Sequence, residues 1–368
     1  MLNLIIFILI LSILIVVHEF GHFLAARRNG VRVERFAIGF GTPIFKRKGK
    51  ETDFWICAFP LGGYVKLAGD TRSEYHGEPF EFLSKPVGVK MKIVFFGPLF
   101  NFIFAFILFW VMGVVGFPYP DTVVGKVLED YPAYEAGIKE NDKVLEIDGE
   151  EVQNWFEMSE KIYRSQDSIT LKIERDAKLL NFKVPLKEKE VSDAFGRKKT
   201  VPIIGVSASE QIKIVQYNFF TAFFKGVEAT FRTAFFIIKG FVFMILGIVP
   251  FKEAVAGPLG IFYITSQALK IGIIAILNLM AVLNVSLTIV NLIPLPLLDG
   301  GHLFLFLIEK IRKRQISERT EDFITQLGFI FILFLIIFVF YNDVVRFGSK
   351  IWQHNKGEVT QQNLENKS

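Results

Sequence analysis

Cysteine is nearly absent: the chain has one, Cys57, so no disulfide closes within it and a thiolate zinc site has no pair to start from. Cys57 reads as a small buried hydrophobe. Histidine is also scarce, at five residues, which makes any close pair informative. No lysine or arginine precedes the first apolar run, Leu2 to Ala26, whereas Arg27 and Arg28 follow it at once. A secretory signal has the reverse charge order, so this run is expected to remain as an uncleaved helix with its C-terminal end in the cytoplasm. No phosphate loop, haem motif or internal repeat is evident. The excess positive charge gathers beside apolar runs and not along a soluble face, which argues against a nucleic-acid footprint and for the cytoplasmic loops of a membrane protein.

What is abundant points the same way. Half of the residues are hydrophobic, and several apolar runs approach or exceed the roughly 20 residues that cross a bilayer. Inside the first run stands His18-Glu19-Phe20-Gly21-His22. Histidines four apart share a helix face and can hold one metal ion between them, with Glu19 beside it as general base. An acidic residue at mid-span costs roughly 2.5–3.5 kcal/mol, so polar groups placed there have a purpose. A catalytic zinc needs a third protein ligand. Positions 25 and 28, where one histidine-rich class carries glycine and histidine, are Ala25 and Arg28, which excludes that class. Glu34 and Glu51 are alternatives, one close to the motif and one in a lysine-rich stretch. The better candidate is Asp299, in Asn291-Leu-Ile-Pro-Leu-Pro-Leu-Leu-Asp299-Gly300-Gly301, where Pro294 and Pro296 break the helix and can turn a carboxylate toward a metal instead of toward lipid.

Together these two motifs resemble the site-2 protease family of intramembrane metalloproteases. The resemblance also takes in Phe59-Pro-Leu-Gly-Gly-Tyr-Val-Lys-Leu-Ala-Gly69, Gly97-Pro98-Leu-Phe-Asn101, Gly257-Pro258-Leu-Gly260 and one PDZ-like insert. It is nearest to the bacterial branch that includes the regulator of sigma-E protease, from which this chain departs by having one PDZ domain instead of two. The resemblance implies a single zinc site formed by His18, His22 and Asp299. It also implies that Asn291 positions substrate or stabilises the developing oxyanion.

The expected fold is a multi-pass α-helical membrane protein of about four crossings, with an inserted mainly-β PDZ-like domain and a cytoplasmic-side β-rich loop. Residues 1–26 form the first membrane helix. Residues 27–92 carry 13 Lys and Arg against 7 Asp and Glu and belong on the cytoplasmic side. Within them Phe54 to Ala68, with Gly62 and Gly63, reads as a hairpin or looped strand. It is either a surface loop or an exposed strand edge that binds an unwound substrate, and Gly62 and Gly63 are the candidate substrate-binding positions on it. The second crossing is 93–117, where Asn101 serves either helix packing or the metal's surroundings.

Residues 118–207 form the PDZ-like domain, with Asn141 where relatives usually have glycine; it either captures a peptide or excludes bulky substrates. A linker and an interfacial helix occupy 208–270, because Lys225, Glu228, Arg232 and Lys239 fall in one narrow stripe. A third membrane segment, 271–308, is followed by a basic loop at 309–322, a fourth helix at 323–345 and a disordered tail at 346–368. An even number of crossings between the basic loops brings both zinc motifs to the cytoplasmic leaflet. His302 either touches the site or makes a helix-end hydrogen bond.

The expected activity is that of a zinc endopeptidase cutting membrane-helix segments of single-pass membrane proteins in the bilayer of a bacterial inner membrane, with the PDZ domain outside. The resemblance implies anti-sigma factors or signal-peptide remnants as substrates. A catalytically silent scaffold or chaperone of the same fold is the alternative, although it has no need of an intact base beside two histidines. A metal transporter would carry polar groups along a whole pathway, and here they gather at one depth.

Overall fold

The computed structural model describes residues 2–192 and 196–365, with side chains left out at 61, 192, 253 and from 347 onward. Of the tail expected to be disordered, 346–368, the backbone continues as helix to Glu365, and residues 366–368 lie outside the described residues. By its contacts the chain divides into two units: residues 1–110 with 225–244 and 250–368, and residues 111–224 with 245–249.

The first unit begins with α1 (Leu2–Arg28), apolar and free of helix breakers until Gly21. It ends where Gly30 takes φ +66° and the Val31 N–H reaches back to the Ala26 carbonyl at 2.9 Å, a left-handed cap that satisfies the last turn. Arg27 and Arg28 in that turn complement the helix dipole. The chain then forms β1 (Val33–Lys48) and β2 (Asp53–Leu67), a long irregular antiparallel hairpin. Arg35–Ile38 of β1 lie between two stretches of β2, opposite Lys66–Gly63 on one side and Asp53–Ile56 on the other. Phe23, Ala26, Val33, Phe36, Leu67 and Ile93 bury a shared apolar cluster that seats the hairpin on α1. Cys57 is buried in β2.

Helix α2 (Val87–Val115) begins six residues before the expected crossing. Lys90 and Lys92 disguise its first turns as loop, yet Lys90 is buried, 3.5 Å from Glu309 and packed over the Phe306 ring. The helix crosses α1 very closely: a Cβ on Gly21 would lie 2.2 Å from the Phe96 carbonyl oxygen.

The second unit contains β3 (Phe117–Pro120), β4 (Val124–Val127), α3 (Pro132–Glu135), β5 (Lys143–Ile147), β6 (Glu150–Glu151), α4 (Trp155–Arg164), β7 (Ser168–Arg175), β8 (Lys178–Pro185), β9 (Lys187–Ser192), β10 (Lys198–Ile203), β11 (Val206–Ala208) and β12 (Ile212–Val215). Four strands pair in the order β6-β5-β7-β8, and β4–β11, β9–β10 and β3–β12 form two-stranded ladders. Val124, Val144, Met158, Leu171, Ile173 and Val184 fill its core. Asn141 adopts φ +69°, the left-handed turn that its side chain tolerates. Asp142 is fully buried and neutralised by two 2.6 Å bonds from Arg175. This is the mainly-β, PDZ-like insert that the sequence anticipates.

The remaining helices are α5 (Phe219–Ile245), α6 (Phe251–Ala254), α7 (Pro258–Ile271), α8 (Ile273–Leu292), α9 (Asp299–Arg312) and α10 (Glu318–Glu365). Among the described residues four helices are long and apolar enough to cross a membrane: α1, α2, α8 and residues 318–346 of α10. Helix α5 is not one of them. Lys225, Glu228 and Arg232 of its charged stripe stand exposed and Lys239 is half-buried, while Ala222, Gly226, Thr230 and Ala234, spaced by four, are buried. Gly226 lies so close to Trp110 of α2 that an added Cβ would sit 3.0 Å from its backbone, and Phe231 stacks edge-on with Phe102. The expected third segment, 271–308, is two helices with a break between them. That break builds the site.

Candidate metal centre

Two of the three candidate ligands come from one face of α1, as the four-residue spacing requires. His18 and His22 point their Nε2 atoms at one another, 3.1 Å apart. Each ring is held from behind. His22 Nδ1 lies 2.9 Å from the Ile93 carbonyl oxygen of α2, and His18 Nδ1 lies 3.2 Å from the Asn101 amide.

The third comes from the break after α8. Residues 293–298 fold back beneath the first turn of α9, with Leu297 at φ +72° and short bonds from Leu295 N–H to the Ile293 carbonyl and from Leu298 N–H to the Leu295 carbonyl. Only glycine fits the two positions that follow. A Cβ on Gly300 would lie 2.3 Å from the Ile293 oxygen, and one on Gly301 2.2 Å from the Leu295 oxygen. Gly328 of α10 makes the same allowance for Pro296, where a Cβ would lie 2.2 Å from the ring. Asp299 is thereby fixed as the first residue of α9, where the helix dipole favours a carboxylate. Its Oδ2 is 3.0 Å from His18 Nε2 and its Oδ1 is 3.5 Å from His22 Nε2.

These separations suit one ion. A tetrahedral zinc with bonds of about 2.0–2.1 Å sets its ligand atoms roughly 3.3 Å apart. Asp299 Oδ2 is buried and makes no hydrogen bond, as an oxygen reserved for a cation would be. Space is reserved as well: a Cβ on Gly97 of α2 would lie 2.3 Å from His22 Nε2 and 2.9 Å from His18 Cε1. The residue after Gly97 is Pro98, and its carbonyl accepts from Thr288 Oγ1 of α8 at 3.1 Å, so the three helices meet at the site. The donor set, two imidazoles and one carboxylate, is that of a catalytic zinc with a position left for water.

Glu19 follows His18 and turns its Oε2 toward the hairpin, accepting the Val65 N–H of β2 at 3.1 Å. The carboxylate thus stands between the ligand cluster and the strand 63–67. The next outward-facing donor of that strand, Leu67 N–H, is bonded by Asp70 at 3.2 Å.

The other sequence candidates fall around this centre. Gly62 and Gly63 are buried. Gly62 has φ +105° and is met by the Phe40 and Ile15 side chains, and a Cβ on Gly63 would lie 2.6 Å from the Ala37 backbone oxygen, so neither position has room for a side chain. Asn291 is in the last turn of α8, partly exposed. Glu34 and Glu51 are exposed on the hairpin and its turn, and neither belongs to the ligand cluster. His302 lies near the Phe306 ring, 6.4 Å between centroids, and also stands outside the cluster. Asn101 is the residue whose part at the centre spacing alone did not separate from helix packing, and in the sequence Gly97 reads only as part of a break near the start of the helix. Their offset of four, which puts both on one face of α2, was the available signal.

The chain matches the model of peptidase family M50 over residues 6–335. A Campylobacter jejuni protein named "Putative zinc metalloprotease Cj1068" is 36% identical over 92% of this chain and 92% of its own length. One from Clostridium acetobutylicum with the same style of name is 32% identical over 93% of this chain and 97% of its own. Among solved structures, the PDZ domain of an SdrC-like protein from Listeria monocytogenes matches at 23% identity and TM-score 0.20, covering 24% of this chain and 88% of that domain.

Proposed function

Because the chain belongs to peptidase family M50 and is a metalloprotease by that membership, we propose that it is an intramembrane zinc endopeptidase of the site-2 type. The observation that carries this reading is the convergence of His18, His22 and Asp299, with the Glu19 carboxylate beside them at the edge of a strand. His18, His22 and Asp299 hold the metal. When bound, zinc supplies a Lewis acid that acidifies a water and polarises the scissile carbonyl. Glu19 takes the proton from that water and delivers it to the leaving amine.

A membrane helix hides its amides in its own hydrogen bonds and must unwind before it can be cut. The strand 63–67 offers the released backbone groups a partner, with Gly62 and Gly63 shaping the approach to it. Asn291 positions the substrate or meets the developing oxyanion. The substrate is a single-pass membrane protein, of which anti-sigma factors and signal-peptide remnants are the classes to try first. The chain sits in the bacterial inner membrane, with the site toward the cytoplasm and the PDZ-like insert outside.

The test is cleavage of a reconstituted single-pass model substrate by purified protein. The parent should cut within or beside the apolar segment. Glu19→Gln, which keeps shape and removes the base, should slow cleavage by roughly 10²- to 10⁴-fold. Cleavage by Glu19→Gln at the parent's rate would end this mechanism.

A further inference from the structure

Asn101 is completely buried in the middle of α2, a helix that crosses the membrane. As its amide is oriented, Nδ2 faces His18 Nδ1 at 3.2 Å, while Oδ1 is buried without any hydrogen-bond partner. The two amide atoms differ only by a half-turn of the group, and hydrogen bonding decides between them. An imidazole that gives Nε2 to a metal carries its proton on Nδ1, so it needs an acceptor behind it. Turning the Asn101 amide supplies that acceptor, and the orphaned Oδ1 gains the donor it lacks.

We propose that Asn101 is a positioning residue for the metal centre: its Oδ1 accepts the His18 Nδ1–H, fixing the tautomer and the ring plane that present Nε2 to the ion. This rests on the metal-site reading above and extends it to a residue outside the ligand set. His22 is served in the same manner by the Ile93 carbonyl, so α2 holds both rings from one side, through one backbone oxygen and one side chain.

The choice of an amide follows from charge. A zinc dication with Asp299 and Glu19 ionised and both imidazoles neutral sums to zero. A carboxylate at 101 would leave one uncompensated negative charge among apolar helices. The amide gives the acceptor without the charge.

The experiment is a Zn²⁺ competition titration on the full-length protein, with zinc as the probe and affinity as the readout. Asn101→Leu should weaken binding about 10- to 100-fold, the usual effect of losing such a partner. Asn101→Asp keeps an acceptor behind His18 at the cost of a buried charge, so it should melt below the parent yet bind zinc within a few-fold of it. Parent-like affinity in Asn101→Leu would overturn the proposal, as would folded Asn101→Asp binding zinc as weakly as Asn101→Leu.

Should the leucine variant fail to fold, the parent decides alone. With ¹⁵N-histidine in the zinc-loaded protein, His18 should coordinate through Nε2 and keep a slowly exchanging Nδ1 proton. Coordination through Nδ1, or a freely exchanging proton there, would refute the assignment. Neither result bears on whether the protein cleaves substrates, which Glu19→Gln tests separately.

Discussion

Gly97→Ala is the smallest change that should weaken zinc binding at the metal centre, because it adds one methyl group at the point where α2 faces both histidines. The new Cβ would stand 2.3 Å from His22 Nε2 and 2.4 Å from its Cε1. Non-bonded carbon contacts settle at roughly 3.5–4.0 Å, so the ring must retreat by about 1 Å. Metal–ligand distances tolerate about 0.2 Å. Backing away is blocked because the α1–α2 crossing is already at contact, with Gly21 against Phe96. Loss of ligand placement on this scale should weaken zinc binding on the order of 10²-fold, or about 2.8 kcal/mol. Helix propensity works in the opposite direction, since alanine is better than glycine by up to about 1 kcal/mol, so the loss should fall on zinc affinity and not on folding.

The assay is the zinc dissociation constant, measured beside the thermal unfolding midpoint. Gly88→Ala on the same helix is the control: its Cβ would meet nothing within 4 Å, and it should bind zinc like the parent. Parent-like zinc affinity in Gly97→Ala would refute the reasoning.

Three further outcomes follow from buried polar groups. Asp343 is fully buried and accepts the Gly257 and Gly260 N–H groups at 3.0 and 2.9 Å, so Asp343→Ala strands two donors at the start of α7. It should destabilise by roughly 1–3 kcal/mol per stranded group, read as a lowered unfolding midpoint, and an unchanged midpoint would count against the cap. In the PDZ-like insert, Arg175→Met leaves the Asp142 carboxylate buried and unpaired and should cost about 3–5 kcal/mol, seen as rapid proteolysis within residues 111–224; resistance equal to the parent's would contradict it.

Glu81 gives a pH signature. Its burial favours the neutral form, but the N–H groups of His76, Gly77 and Glu78 bond the carboxylate and outweigh that, holding its pKa below the ordinary value. The stabilisation is therefore complete above the ordinary carboxyl range and is lost as pH falls through the lowered pKa. Protection of the Gly77 and Glu78 amides, measured against their intrinsic exchange rates, should fall selectively on acidification, and Glu81→Gln should remove most of that response.

What the sequence revealed follows from which constraints are local. His18, Glu19 and His22 were legible because helix periodicity alone puts the histidines on one face, and Asp299 because two prolines and two glycines mark a break that only a site or a turn would use. The four apolar helices were legible from length. The start of α2 was not, because Lys90 looks like a loop residue until Glu309, 219 residues away, is seen to neutralise it. In α5 the charges drew attention, although Ala222, Gly226, Thr230 and Ala234 decide how it packs, and small residues carry no signal until a partner surface is known. Gly97 and Asn101 belong to the same class, since a missing side chain and a neutral amide gain their meaning from imidazoles brought in by another helix.

The central claim is that these particular three residues hold one zinc ion, and zinc per chain, measured on purified parent, Asp299→Ala and Glu34→Ala, tests it most directly. The account predicts one zinc in the parent and in Glu34→Ala, and none in Asp299→Ala. A full complement of zinc in Asp299→Ala, with an empty site in Glu34→Ala, would contradict it.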